Sequence, residues 1–198
     1  MSEDLRTAHA ARTTTETDIE LDLTLDGSGT ARVATGIGFF DHMLEIFAHH
    51  GRFDLALRAS GDLDVDGHHT VEDVGLVLGQ ALAEALGDKR GIRRYAWCAL
   101  PMDEALALVS VDVSGRPYLV YDVDLAGVRI GTFEADLTGH FLRSFATRAA
   151  LTLHVHLLSG DDPHHMVEAV FKGVARALAS ACTVDEPGGD VPSTKGTL

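Results

Sequence analysis

Two His-His pairs, each followed by a glutamate, carry the residue types most able to do chemistry in this chain: His68, His69 and Glu72, and His164, His165 and Glu168. Imidazole and carboxylate are donors for divalent metals. On a helix, positions i and i+4 share a face, so His164 and Glu168 can converge on one ion while His165 points about 100° away. The same spacing joins His68 to Glu72 and turns His69 aside. If each helix gives its His/Glu pair to one ion and its odd His to another, and His42 and His140 add one ligand each, eight protein ligands serve two ions. Four per ion leaves octahedral positions open, which marks a catalytic site, since structural sites are closed. A single His-His pair at a helix start is an ordinary solvated feature. Two copies with a matched upstream His and a matched downstream Glu are not.

The elements that must position these residues are themselves repeated. Asp41 to Ala48 is echoed by Gly139 to Ala146, with His42 and His140 in the same place, and Asp66 to Glu72 by Asp162 to Glu168; the offset is 98 residues at the first motif and 96 at the second. Each half reads as strands, a helix, a strand and a second helix. In the first half, Ile19 to Leu25 alternates as a half-buried strand and Thr30 to Ala34 returns as its hairpin partner. His42 to His50 is helical and ends at Gly51, Phe53 to Ala59 is a strand, and Asp66 to Leu86 is a long helix stopped at Gly87. In the second half, Ala105 to Val113 and Tyr118 to Val123 are strands, His140 to Ala149 is helical, Leu151 to Leu157 alternates, and Pro163 to Ala181 is the second long helix. Asp162 can cap that helix with Pro163 as its first residue. The expected fold is α+β, with internally duplicated, pseudo-symmetric halves. Each is a small mixed sheet with two helices, of the split β-α-β type found in ribosomal proteins. Residues 1–11 read as a flexible tail, 12–95 and 96–185 as the two repeats, joined near Tyr95 to Pro101, and 186–198, punctuated by Pro and Gly, as a loop or tail. The halves are expected to pair their sheets within one compact unit.

Composition narrows the partners. A formal charge of −14, from 30 acidic against 16 basic residues, repels phosphate backbones and argues against nucleic acid or an anionic membrane. A phosphate ligand must then be small and met by locally clustered cations. Cys98 and Cys182 lack C-x-x-C spacing and read as small hydrophobes. With a polar N-terminus and no long apolar run, the chain reads as a soluble cytoplasmic protein. His9, His49, His50, His154 and His156 read as structural or solvent-facing.

Seven motifs together resemble the imidazoleglycerol-phosphate dehydratase family: Phe40 to Leu44, His68 to Asp73, Gly87 to Ile92, Pro101 to Glu104, Ser114 to Pro117, Asp162 to His165 and Pro192 to Gly196. The resemblance runs from about Arg12 to the C-terminus. It implies a dimanganese enzyme, two Mn2+ per subunit, with active sites between the subunits of a large homo-oligomer of 24 chains. By motif, one ion takes His68, Glu72, His140 and His165, and the other His42, His69, His164 and Glu168. The phosphate clamp maps onto Arg94, Arg116, Lys172, Ser193 and Lys195, the last two placing the C-terminal tail in the active site. Glu16 matches an acid/base position, and Asp103 is similarly placed. Ile46 stands where the family often has a glutamine.

The reaction this implies is loss of water from D-erythro-imidazoleglycerol phosphate to give imidazole-acetol phosphate, a step of histidine biosynthesis. The hydrogen removed is not beside a carbonyl, so enolate stabilisation is unavailable. The expected route binds the substrate ring as an imidazolate across two ions, expels the adjacent hydroxyl through a diazafulvene-like intermediate, and then loses the neighbouring proton. A dinuclear phosphate-ester hydrolase is the rival enzyme, and a ribosomal-type binding module the non-enzymatic alternative.

Overall fold

The computed structural model describes residues 5–187 and 189–198, so that residues 1–4 of the expected tail and Gly188 lie outside it. The first half runs β1 (Thr7–Thr13), β2 (Thr17–Thr24), β3 (Ala31–Ala34), α1 (Gly38–Gly51), β4 (Asp54–Gly61) and α2 (His68–Leu86). The second runs β5 (Tyr95–Met102), β6 (Ala105–Asp112), β7 (Tyr118–Asp122), the short β8 (Arg129–Ile130) and β9 (Phe133–Glu134), α3 (Leu137–Arg148), β10 (Thr152–Ser159) and α4 (Pro163–Cys182). Both halves build a four-stranded sheet of the same order, β1-β2-β4-β3 and β5-β6-β10-β7. In each, the final pair is parallel and the others are antiparallel. The duplicated sequence is a duplicated topology, and the fold is the α+β arrangement expected.

Alternation drives the central strands. In β2, Thr17, Ile19, Leu21 and Leu23 are buried while Asp18, Glu20 and Asp22 face out; in β6, Ala105, Ala107, Val109 and Val111 are buried. The edge strands depart from the sequence reading. Thr7–Thr13, inside the segment read as a tail, pairs with β2 from Thr7↔Thr24 to Thr13↔Asp18. Only Ala10 of that strand is buried, so no alternation betrays it. Tyr95–Met102, read as the joint between halves, is also an edge strand; apolar residues on both of its faces erase the polar contrast that marks a half-buried strand. Ala31–Ala34 is not a hairpin partner of β2. It runs parallel to β4 with α1 as the crossover, since a parallel pair needs a long connection.

The sheets do not pair with each other among the described residues; the helices meet instead. α2 covers β1 and β2, and α4 covers β5 and β6, but α3 packs on α2 and α1 on α4, so each half lends its short helix to the other. The seam is aromatic. The Phe141 ring lies 5.3 Å from Phe40, 5.4 Å from Phe171 and 6.1 Å from Phe145, linking α1, α3 and α4. On α2, Gly75 and Gly79 let the α3 backbone approach: a Cβ at Gly75 would fall 2.7 Å from the Phe141 carbonyl, and one at Gly79 2.6 Å from that of Phe145. This crossing brings His140 of α3 over the start of α2.

Gly79→Val should therefore lower stability by about 1–3 kcal/mol, the usual cost of overpacking, whereas Gly38→Ala, whose Cβ meets no atom within 4 Å, should change it little. Paired chemical denaturation curves check this. Equal midpoints for the two variants would remove the glycine seam as the reason for close α2–α3 packing.

Candidate metal centre

The long helices start alike. The Asp66 carboxylate accepts the His68 N–H at 2.7 Å and the Asp162 carboxylate accepts the His164 N–H at 2.8 Å. In α4, Asp162 is the N-cap and Pro163 opens the helix, as its sequence suggested. In α2 the N-cap is Gly67 and Asp66 makes its contact from one residue further out, yet both contacts fix the first turn from which the His/Glu spacing is counted.

One cluster forms where α1 meets α4. Donor atoms of His42, His164 and Glu168 all lie within 4.8 Å of one another, with His164 Nε2 3.2 Å from Glu168 Oε2. Phe39 packs edge-on against His164, 5.1 Å between ring centres. Glu168 is only 8% exposed. Burial pushes its carboxyl up, but the Lys172 ammonium, 2.5 Å from Oε1, and His164 outweigh that and hold it below the ordinary carboxylate value. The pseudo-equivalent cluster, where α3 meets α2, is looser. His68 Nε2 stands 3.8 Å from Glu72 Oε2, and the His68 and His140 rings are 4.7 Å apart. Each cluster thus draws two donors from one half and a third from the other. Converging imidazole and carboxylate donors, with Glu168 buried and His42, Glu72 and His140 open to solvent, fit a divalent transition metal with room for further ligands.

The odd histidines belong to neither cluster. His69 Nδ1–H donates to Asp62 at 3.0 Å, and Glu16 Oε2 lies 3.8 Å from the same nitrogen. His165 Nδ1–H donates to Glu104 at 2.9 Å, and Asp103 Oδ2 lies 3.7 Å from its Nε2. These bonds, to Asp62 and to Glu104 respectively, raise both imidazole pKa values. The Glu104 carboxyl is held down at about 2, first by the Asp162 N–H and then by His165. Asp62 and Glu104 were not singled out from sequence. Glu104 closes the Pro101–Glu104 motif and directly precedes β6, as Glu16 directly precedes β2, so the internal repeat holds a signal for it; Asp62, in the loop after β4, has none.

The residues assigned to phosphate divide into two places. Arg94 is buried, bonded to Asp112 at 2.8 Å and to the Pro192 carbonyl at 2.7 Å. Arg116 lies 3.8 Å from the same Asp112. Ser193 and Lys195 follow in the C-terminal segment, where the Lys195 N–H bonds the Ser193 hydroxyl. Gly115, next to Arg116, takes φ +73° and meets the chain end at Leu198 so closely that a Cβ would fall 2.5 Å from it. Lys172 is apart from this group, at Glu168 and Met102 in the α1–α4 cluster. Ile46 is a half-buried residue packed on the core. Cys98 and Cys182 are unpaired, and burial pushes the Cys182 thiol up to about 12.

With this geometry in view, the likeness to known proteins is informative. The imidazoleglycerol-phosphate dehydratase family profile matches residues 35–178. The imidazoleglycerol-phosphate dehydratase of Methylorubrum extorquens is 53% identical over 195 residues, covering 98% of this chain and all of the relative. That of Caldicellulosiruptor bescii is 51% identical, covering 98% of each. Among solved structures, the Staphylococcus aureus dehydratase superposes with a TM-score of 0.82 at 39% identity, over 90% of this chain and 99% of that one. The Pyrococcus furiosus enzyme, in complex with (S)-C348, gives the same score and identity over 95% and 99%. All of the His/Glu motif residues, from His42 to Glu168, lie within the matched span, and the chain belongs to the imidazoleglycerol-phosphate dehydratase family of hydro-lyases.

Proposed function

We propose that this chain dehydrates D-erythro-imidazoleglycerol phosphate to imidazole-acetol phosphate through a dinuclear site, with Mn2+ as the metal. The observation that carries this reading is the pair of pseudo-equivalent His/Glu clusters, each closed by a histidine from the other half. His42, His164 and Glu168 would hold one ion, and His68, Glu72 and His140 the other. Each falls one protein ligand short of four, and His69 and His165 are the unused histidines of the motif. We assign His69 of a second copy to the first ion and His165 of a second copy to the second, so that the site is complete only between subunits. A closed homo-oligomer, 24 chains in the family's arrangement, satisfies that need for every chain. We place it in the cytoplasm, where both unpaired cysteines stay reduced.

The reaction removes a hydroxyl from the carbon attached to the imidazole ring and a hydrogen from the next carbon, leaving an enol that becomes the ketone. When bound, the two cations would supply the Lewis acidity that lets the ring lose its N–H proton and push electrons toward the leaving hydroxyl. The chain's own carboxylates manage the remaining protons. Glu16 stands beside His69 without being its hydrogen-bond partner, because Asp62 takes that nitrogen; its carboxylate is free to accept the carbon-bound proton and to return one to the departing hydroxyl. Asp103 stands on the other side of its histidine, 3.7 Å from Nε2 of His165, and is the second carboxylate assigned to proton transfer. We assign the phosphate to Arg94, Arg116, Ser193 and Lys195, and to Lys172, which stands apart from them at the metal cluster.

Metal-stripped protein titrated with Mn2+ should regain turnover of imidazoleglycerol phosphate, followed by the enolisable ketone product, and saturate near two ions per chain. Bound metal with release of inorganic phosphate, and no ketone, would replace the dehydratase with a hydrolase. Glu16→Gln should retain full metal content and lose turnover by about a hundredfold or more, the scale of a missing general acid/base; near-normal turnover would take Glu16 out of the mechanism.

A further inference from the structure

Two carboxylates outside the proposed ligand set make the same contact in the two halves. Asp62 accepts His69 Nδ1–H at 3.0 Å and Glu104 accepts His165 Nδ1–H at 2.9 Å. They do not come from equivalent places. Asp62 lies in the loop between β4 and α2, whereas Glu104 lies in the tight turn between β5 and β6. The division of labour within Glu104 is specific: Oε1 accepts the Asp161 and Asp162 N–H groups, leaving Oε2 for His165. Asp62 uses both side-chain oxygens on His69, at 3.0 and 3.2 Å, and has no other side-chain hydrogen bond among the described residues. A solvent-facing histidine needs no such partner, and two unrelated loops reaching one ring atom is not a by-product of the duplication.

A carboxylate on Nδ1 has a definite consequence for an imidazole. It fixes the tautomer with hydrogen on Nδ1, leaves the Nε2 lone pair as the only donor, and stops the ring from turning about its side-chain torsions. His68 and His164 are positioned by their own clusters. His69 and His165 have no cluster within the chain, so without these partners their rings would sample several rotamers.

We propose that Asp62 and Glu104 are positioning residues that aim Nε2 of His69 and of His165 at the metal clusters of adjoining copies. This rests on the dinuclear reading above. Neither carboxylate touches metal or substrate; each acts through its histidine. The ring is thereby set before subunits meet, which lowers the ordering cost of completing the site.

Mn2+ binding to the full-length assembled protein, followed by isothermal titration, tests this. Asp62→Ala should weaken one class of site by about ten- to a hundredfold, the usual effect of losing a ligand's orienting partner. Asp62→Asn, whose carbonyl still accepts the Nδ1–H, should recover most of that loss. His69→Ala should lose the site more severely, and Asp62→Ala added to it should weaken binding no further. If Asp62→Ala binds like the parent while His69→Ala loses a site, the positioning role falls and the dinuclear reading stands. If His69→Ala itself binds two ions with parental affinity, both fall.

Discussion

The starting register of two helices governs the whole site. Asp66 and Asp162 each take the N–H of the first histidine of a His-His pair, and from that fixed point the helical period decides which side chain faces where. The first histidine and the glutamate four residues on fall together; the second histidine is turned aside. A shift of one residue at the cap would exchange the two histidines and break both pairs. Local capping is thus coupled directly to metal chemistry, because an ion accepts donors only from the face the register presents.

The second determinant is the exchange of short helices between halves. His42 reaches the His164/Glu168 pair because α1 packs on α4, and His140 reaches His68 because α3 packs on α2 through Gly75 and Gly79. Neither repeat contains a full cluster by itself. The phenylalanines at the seam therefore support function as well as stability, since they hold donors from opposite halves within a few ångströms.

Electrostatics divides the labour further. The chain carries a net charge of −14, yet Arg94 and Arg116 gather around Asp112 beside the C-terminal segment, and Lys172 sits against Glu168. Each of these cations is thus paired with a carboxylate of its own chain, local positive charge held in place on an acidic surface. The carboxylates likewise split: Glu72 and Glu168 lie in the clusters, Asp62 and Glu104 hold histidine rings, and Glu16 and Asp103 stand beside those rings without hydrogen-bonding to them.

Sequence alone determined what repeats with a period. The His/Glu pairs follow from the 3.6-residue turn, β2 and β6 from alternation, and the matched halves from motifs spaced 98 and 96 residues apart; each is a local pattern, written in neighbouring residues. What escaped it has no such pattern. The edge strands β1 and β5 lack a buried-polar alternation, and the parallel seating of β3 depends on a crossover rather than on its own four residues. Which helix would lie against which was settled by close packing between segments distant in the chain, as Gly75 is from Phe141 and His42 from His164. So too was the reach of Asp62 and Glu104 to a ring nitrogen, because hydrogen bonds across a fold depend on where the backbone finally places two side chains, and no spacing in the chain encodes that distance.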